Sequence, residues 1–291
     1  MKTTNLLIEP LSPIVGAEVS GVDLSTPIDD ITLNKIREAL AAHLVLFFRD
    51  QELTFAQHKA FGQRFGKLHI HPAAPKDTEH PEILVVHSDD KVKFVAGSLW
   101  HSDVSCDTTP PMGSILRIAQ VPPSGGDTLF ASMYAAFEAL SNRMQLLLAG
   151  LTAVHEGEQY YRGRYGAGTL RDKQYPTAEH PVVRTHPVTG RQALYVNEAF
   201  TTRIKELPLA ESDALLAFLF KHSTQPTFHC RFQWRPNSVA FWDNQCAQHL
   251  AIWDYWPETR HGYRVTIKGD QPFYDRGAQQ SRTERTLQPA P

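Results

Sequence analysis

The chain has 291 residues, 42% of them apolar and 21% charged, enough to bury a sizeable core, and no apolar run of about 18 residues that would read as a membrane span. Its formal net charge of -2 gives no electrostatic case for a nucleic-acid partner. The opening MKTTNLLIEPLSP lacks the apolar centre of a secretory signal, and the scattered Cys106, Cys230 and Cys246 fit neither a disulfide framework nor a thiolate zinc site, so a reducing cytoplasm is the expected setting.

In chain order, residues 6–25 read as short strands broken by proline and glycine. Leu33, Ile36, Leu40 and Leu44 then fall at helical spacing, with Asp30 or Thr32 as the N-cap. An apolar run over 44–50 suits a buried strand, and 54–66 reads as a second helix capped by Thr54 and stopped by Gly66. Strand-like runs follow at 83–87, 114–120, 181–185, 193–197, 228–234, 238–242 and 263–268. Further helices are expected over 132–150 and 211–222, the latter with Leu215, Leu216, Leu219 and Phe220 on one face. Many short strands with few helices and no regular βαβ alternation predict a mainly β fold, a sandwich or jelly roll with flanking helices. No repeat or linker divides the chain, so one domain over 1–274 is expected, with a polar, disordered tail over 275–291.

The tripeptide His-Ser-Asp occurs twice, at 87–89 and at 101–103. On an extended segment residues i and i+2 point the same way, so either copy could aim an imidazole and a carboxylate at one metal ion. The first copy closes an apolar strand and runs into Asp90 and Lys91, which is turn chemistry and reads as a solvated strand end. The second lies between Trp100 and Val104, which can wall off a drier pocket. His249, just after the apolar strand at 238–242, is a candidate third ligand, although that stretch taken alone reads rather as holding a core histidine. Arg260 and Arg264 follow at a spacing that lets them share a face on a strand or a helix. They read either as a pair of surface ion pairs or as two anion anchors beside one metal. Two histidines and one carboxylate form the facial triad of non-haem iron oxygenases. A zinc hydrolase with the same ligands, or a jelly-roll protein that binds an anion without turnover, remain the rival readings.

Several stretches resemble one family collinearly over residues 6–274: PIVGAEVSGVDL, RFGKLHIHP, WHSDVSCDTTPP, VPPSGGDTLFASMYAAFEALS, FWDNQCAQH and RHGYRVTIKGDQPF. These are similar to the taurine dioxygenase family of Fe(II)/2-oxoglutarate-dependent oxygenases, which also takes in alkylsulfate and aryloxyalkanoate dioxygenases. The resemblance implies a double-stranded β-helix, or jelly roll. It implies Fe(II) held by His101, Asp103 and His249, 2-oxoglutarate as cosubstrate with its distal carboxylate on Thr128 and Arg260, and O2 as oxidant. Arg264 and His71 would meet the anionic group of a small organic substrate, with Phe200 and Tyr161 as aromatic pocket walls. The carboxylate of Asp103 implies a hydroxylase, because related halogenases carry a small residue there. Succinate and CO2 would be released, with loss of sulfite, sulfate or a phenol where the hydroxylated carbon carries such a group. Family members often assemble as dimers or tetramers. The tyrosine and asparagine expected in a taurine pocket are replaced by Ala74 and Gly97, which implies a larger or more apolar anion than taurine.

Overall fold

The computed structural model describes residues 6–72, 78–93, 95, 97–162 and 175–277. The strands β1 (Leu7–Pro10) and β2 (Ala17–Ser20) open the chain, followed by the helix α1 (Asp30–His43). The N-cap of α1 is Asp29, one residue earlier than expected: its extended backbone lets the carboxylate accept the Thr32 N–H at 2.8 Å. The buried strand β3 (Val45–Phe48) and the helix α2 (Phe55–Gln63) follow, and Thr54 caps α2 as expected, in a reciprocal box with Gln57.

Next come β4 (Leu68–His69), β5 (Ile83–Ser88), β6 (Gly113–Gln120) and β7 (Thr128–Ser132). The single helix expected over 132–150 is two, α3 (Met133–Glu138) and α4 (Asn142–Leu148). Ser141 breaks it by taking an extended backbone and accepting the Met144 N–H, which starts a new helix. Then follow β8 (Thr152–Glu156), α5 (Glu158–Tyr161), β9 (Thr177–Pro181), β10 (Val183–Thr185), β11 (Gln192–Leu194), β12 (Thr201–Ile204) and α6 (Leu209–Ser223). The chain closes through β13 (His229–Phe232), β14 (Ser238–Asp243), β15 (Ala247–Ala251) and β16 (Arg260–Ile267). The runs expected at 181–185 and 193–197 resolve into the shorter β10 and β11, with ends displaced by up to three residues, and β4, β7, β8, β9, β12 and β15 were not anticipated as strands.

The main sheet runs β1-β2-β3-β14-β6-β16-β4, with β5 also on β16, and only β2–β3 is parallel. Smaller antiparallel sheets are β13-β7-β15, β12-β8-β9 and β10-β11. Central strands of the main sheet are covered on both faces, which is why their sequences read as unbroken apolar runs. On one face Leu46, Phe48, Val239 and Phe241 pack with Ile36, Leu40 and Phe61 of α1 and α2. On the other, Val45, Phe47, Ala240 and Trp242 meet the β13-β7-β15 sheet, where Phe47 stacks on Phe232 at 3.9 Å and Phe130 lies 5.7 Å from Trp242. Two largely antiparallel sheets closing on this core make a jelly roll, one of the two arrangements that the strand pattern predicted. Asp275, assigned to the tail from sequence, bonds through its N–H to Thr185 Oγ1 at 2.9 Å; residues 278–291 lie outside the described residues.

Candidate active site

His101 and His249 are brought together by the backbone itself. They form an antiparallel bridge in which each N–H donates to the other's carbonyl, at 3.1 and 2.9 Å, and their rings lie 4.1 Å apart. His249 sits on β15, opposite Phe130 of β7. Asp103, two residues on, stands at the start of a turn in which Val104 takes φ 50, and its Oδ1 lies 3.8 Å from His101 Nε2. A ligand atom from each of the three lies within 4.8 Å of the other two, and all three residues are buried. His101 Nδ1 donates to the Leu99 carbonyl at 2.8 Å, which leaves the Nε2 lone pair facing Asp103. A ring nitrogen of His249, Nδ1, is buried with no hydrogen-bond partner. Burial holds both imidazoles below the usual histidine range, so both are neutral and offer lone pairs. Burial alone would raise the Asp103 carboxyl. The guanidinium of Arg264, with the two histidines and Ser114, instead draws it well below the carboxylate range, so it is ionised. Two neutral imidazoles, one anionic oxygen and a buried orphan nitrogen fit a divalent transition metal ion.

Asp103 is held from three sides. Its Oδ2 accepts from Ser114 Oγ on β6 at 2.7 Å, its Oδ1 accepts from Arg264 Nη1 at 2.5 Å, and its N–H donates to Asn244 Oδ1 at 3.1 Å. Asn244 in turn donates to Ser114 at 3.1 Å and accepts from Trp242 Nε1 at 2.9 Å. Ser114, Asn244 and Trp242 were not singled out from sequence; Trp242 and Asn244 stand at the end of the apolar run that leads to His249, and Ser114 opens the separate run at 114–120.

A cavity of about 300 Å³ opens beside the triad. Arg260 and Arg264 alternate with Gly262 along β16 and all three are buried, so both arginines face it. Gly262 is required there: a Cβ would run into the Arg117 carbonyl of β6. Arg260 Nε donates to the Gly126 carbonyl at 3.1 Å and its guanidinium lies 5.4 Å from the Trp234 ring, while Nη2 is buried with no hydrogen-bond partner. Thr128 also lines the cavity, and its oxygen accepts from Trp234 Nε1 at 2.9 Å, which leaves the hydroxyl proton to donate elsewhere. His71, Tyr161 and Phe200 line the same space; Tyr161 and Phe200 meet edge-on at 5.6 Å, and the His71 ring is 6.0 Å from Tyr161. Burial, then Arg264, pushes His71 down to about 3, so it is neutral. Leu84, Val86, Val95 and Val104 supply an apolar wall.

At Gly97 the N–H donates to the Tyr160 hydroxyl at 2.5 Å and the carbonyl accepts from Ala251 at 2.8 Å. Tyr160, overlooked in the sequence beside Tyr161, also lies 5.7 Å from the His101 ring. Ala74 lies outside the described residues. Cys106, adjacent to the triad segment, is a buried free thiol 3.9 Å from the Tyr161 hydroxyl, and burial pushes it up to about 12. His186, Asp243 and Cys246 also converge, yet both imidazole nitrogens of His186 are taken. Nε2 donates to Asp243 at 2.9 Å, and Nδ1 accepts the Val188 and Thr189 N–H groups. That cluster is a buried structural network. His87 of the first His-Ser-Asp copy is exposed near the end of β5, and Asp89 accepts the Lys91 N–H in the following turn, as its sequence context indicated.

Fold and cavity together define an oxygenase of the jelly-roll, 2-oxoglutarate-dependent class. Residues 7–266 match the family model of the taurine catabolism dioxygenases, the TauD/TfdA family, and the chain belongs to that family. It is an oxidoreductase that depends on 2-oxoglutarate, O2 and a metal. A sulfate ester dioxygenase of Pseudomonas putida is 36% identical over 96% of this chain and 94% of its own length. The crystal structure of a taurine dioxygenase from Burkholderia xenovorans superposes with a TM-score of 0.81 at 37% identity, covering 94% of each chain. The structure of AAD-2 in complex with Mn(II) and N-oxalylglycine gives 0.78 at 28% identity, covering 92% of this chain and 99% of that one. These relatives give no support to the zinc-hydrolase or anion-binding alternatives.

Proposed function

We propose that this domain, residues 1–274, hydroxylates a C–H bond next to the anionic group of a small sulfonate, alkyl sulfate or aryloxyalkanoate. The observation that carries the reading is the convergence of the buried His101, Asp103 and His249 on a cavity faced by Arg260 and Arg264. The three side chains would hold Fe(II). Iron so held supplies O2 activation coupled to decarboxylation of 2-oxoglutarate to succinate and CO2. Arg260 and Thr128 would take the far carboxylate of 2-oxoglutarate: the orphan Nη2 of Arg260 and the free Thr128 proton are the donors such an anion needs. Arg264 and His71 would orient the substrate anion, with Phe200 and Tyr161 excluding water from its carbon chain. The apolar wall and the replacement of the expected taurine contacts by Ala74 and Gly97 favour a substrate larger than taurine.

Where the hydroxylated carbon carries the sulfonate or ester oxygen, the product collapses to a carbonyl compound and releases sulfite, sulfate or a phenol. The reading includes a cytoplasmic setting and assembly into a homo-oligomer, which light scattering of the purified chain tests. The central test is a panel of alkylsulfonates, alkyl sulfates and aryloxyalkanoates with Fe(II) and 2-oxoglutarate. Substrate-dependent succinate formation is expected for the longer alkyl or aryl anions. Turnover with Zn(II) in the absence of oxygen would overturn the reading.

A further inference from the structure

At the rim of the active-site cavity, which His87 borders, two imidazoles meet across adjacent strands. His87 of β5 lies directly opposite His261 of β16, and their Nδ1 atoms are 3.1 Å apart. His87 is exposed and His261 half-buried, on the surface opposite the face of β16 that carries Arg260 and Arg264. We propose that His87 and His261 form a second cation site, for a divalent transition-metal ion such as Zn2+, on the outer face of the β5–β16 pair.

The hydrogen bonds at the far sides of the two rings support this. His87 Nε2 lies 3.4 Å from Asp89 Oδ2, and an ionised carboxylate only accepts, so Nε2 carries the proton and Nδ1 is a bare lone pair. His261 Nε2 lies 2.9 Å from the Tyr263 hydroxyl, a group that accepts or donates, and the proposed site is the arrangement in which it accepts the second Nε2 proton. In that arrangement the two Nδ1 lone pairs face each other with no proton between them, and a shared cation removes the repulsion. A ring whose outer N–H is anchored on a carboxylate or hydroxyl is the usual support of a metal-bound histidine. The 3.1 Å separation also fits. Two nitrogens each about 2.0–2.1 Å from one ion lie roughly 3.0–3.4 Å apart. Burial and the neighbouring His87 hold His261 below the ordinary histidine range, which keeps its lone pair available. Two imidazole nitrogens select zinc, nickel or copper over magnesium or calcium, and the exposed setting leaves the remaining positions to water.

The experiment is calorimetric titration of the full-length protein with Zn2+ in a non-chelating buffer. The wild type is compared with His87→Gln, His261→Gln and Asp103→Ala. Wild type is expected to take up one more equivalent than either His87→Gln or His261→Gln, while Asp103→Ala loses a different equivalent. Asp89→Asn should weaken the surface equivalent about 10-fold by releasing the His87 ring. Mg2+ should give no heat that His261→Gln removes. Equal stoichiometry in wild type and His261→Gln would overturn the site, as would a loss in only one of the two histidine variants. In either case the Tyr263 hydroxyl donates to His261, and the pair is a simple hydrogen bond.

Discussion

The same three letters, His-Ser-Asp, stand in two places and do different things. At 101–103 the segment is buried, its histidine is bridged to His249 through the backbone, and its aspartate is gripped by Ser114 and Arg264. At 87–89 it ends an edge strand, where the aspartate bonds to the outer nitrogen of its own histidine and caps a turn. Both copies place imidazole and carboxylate two residues apart; in the buried copy the two converge with His249 on one point, whereas in the exposed copy the carboxylate is turned to the outer nitrogen of its own histidine. The difference teaches that ligand spacing proposes a site and that the elements packed over it make one.

The largest expected effect separates the copies directly. Asp103→Ala should abolish hydroxylation and lower metal uptake, whereas Asp89→Ala should leave turnover within about twofold; metal titration alongside succinate release reads both. Next, Arg260→Ala should raise the KM for 2-oxoglutarate roughly 10- to 150-fold, the equivalent of one lost charge-assisted pair. Arg264→Ala should instead raise the KM of the organic substrate, and the opposite pattern would exchange the two roles. A smaller effect is expected from the groups that hold the buried aspartate. Ser114→Ala should weaken metal affinity about 10-fold with little change in thermal stability, and Ser114→Thr should restore most of it; Asn244→Ala should weaken the affinity similarly and also lower the Tm, because the buried Trp242 Nε1 and Asp103 N–H lose their acceptor.

The last effect touches stability rather than turnover and concerns other buried histidines. Burial holds His58 and His180 down to about 4, so between pH 6.5 and 4 the unfolded chain binds protons that the folded chain refuses. Stability is therefore lost as the pH falls through that window, on the order of a few kcal/mol. A thermal melt series should show a falling Tm, and His58→Gln should flatten the decline.

Much of this was legible in the letters, and the remainder has physical reasons. Strands β5, β6, β14 and β16 showed because they carry apolar runs or alternate cleanly, and α1, α2 and α6 because their apolar residues recur at helical spacing. Strand β15 did not, because Ala247–Ala251 places Gln248 and His249 in a buried strand whose polar groups bond to Val196 and to His101. The ligands came from local spacing and from family resemblance. The Ser114–Asn244 support did not, since it joins residues 130 positions apart that only the sheet order brings together. Tyr160 was hidden because its role depends on Gly97, a contact 63 residues away.

The bridge between His101 and His249 has an evolutionary corollary. Two of the three candidate ligands are fixed to each other by main-chain bonds, while the excursion between them contributes Tyr160, Tyr161 and Phe200 to the walls. Loops in that excursion can lengthen, shorten or change composition without disturbing the distance between the imidazoles. Reactivity and taste for substrate are thereby uncoupled, and a lineage can acquire new diets while its oxidising centre stays as it was.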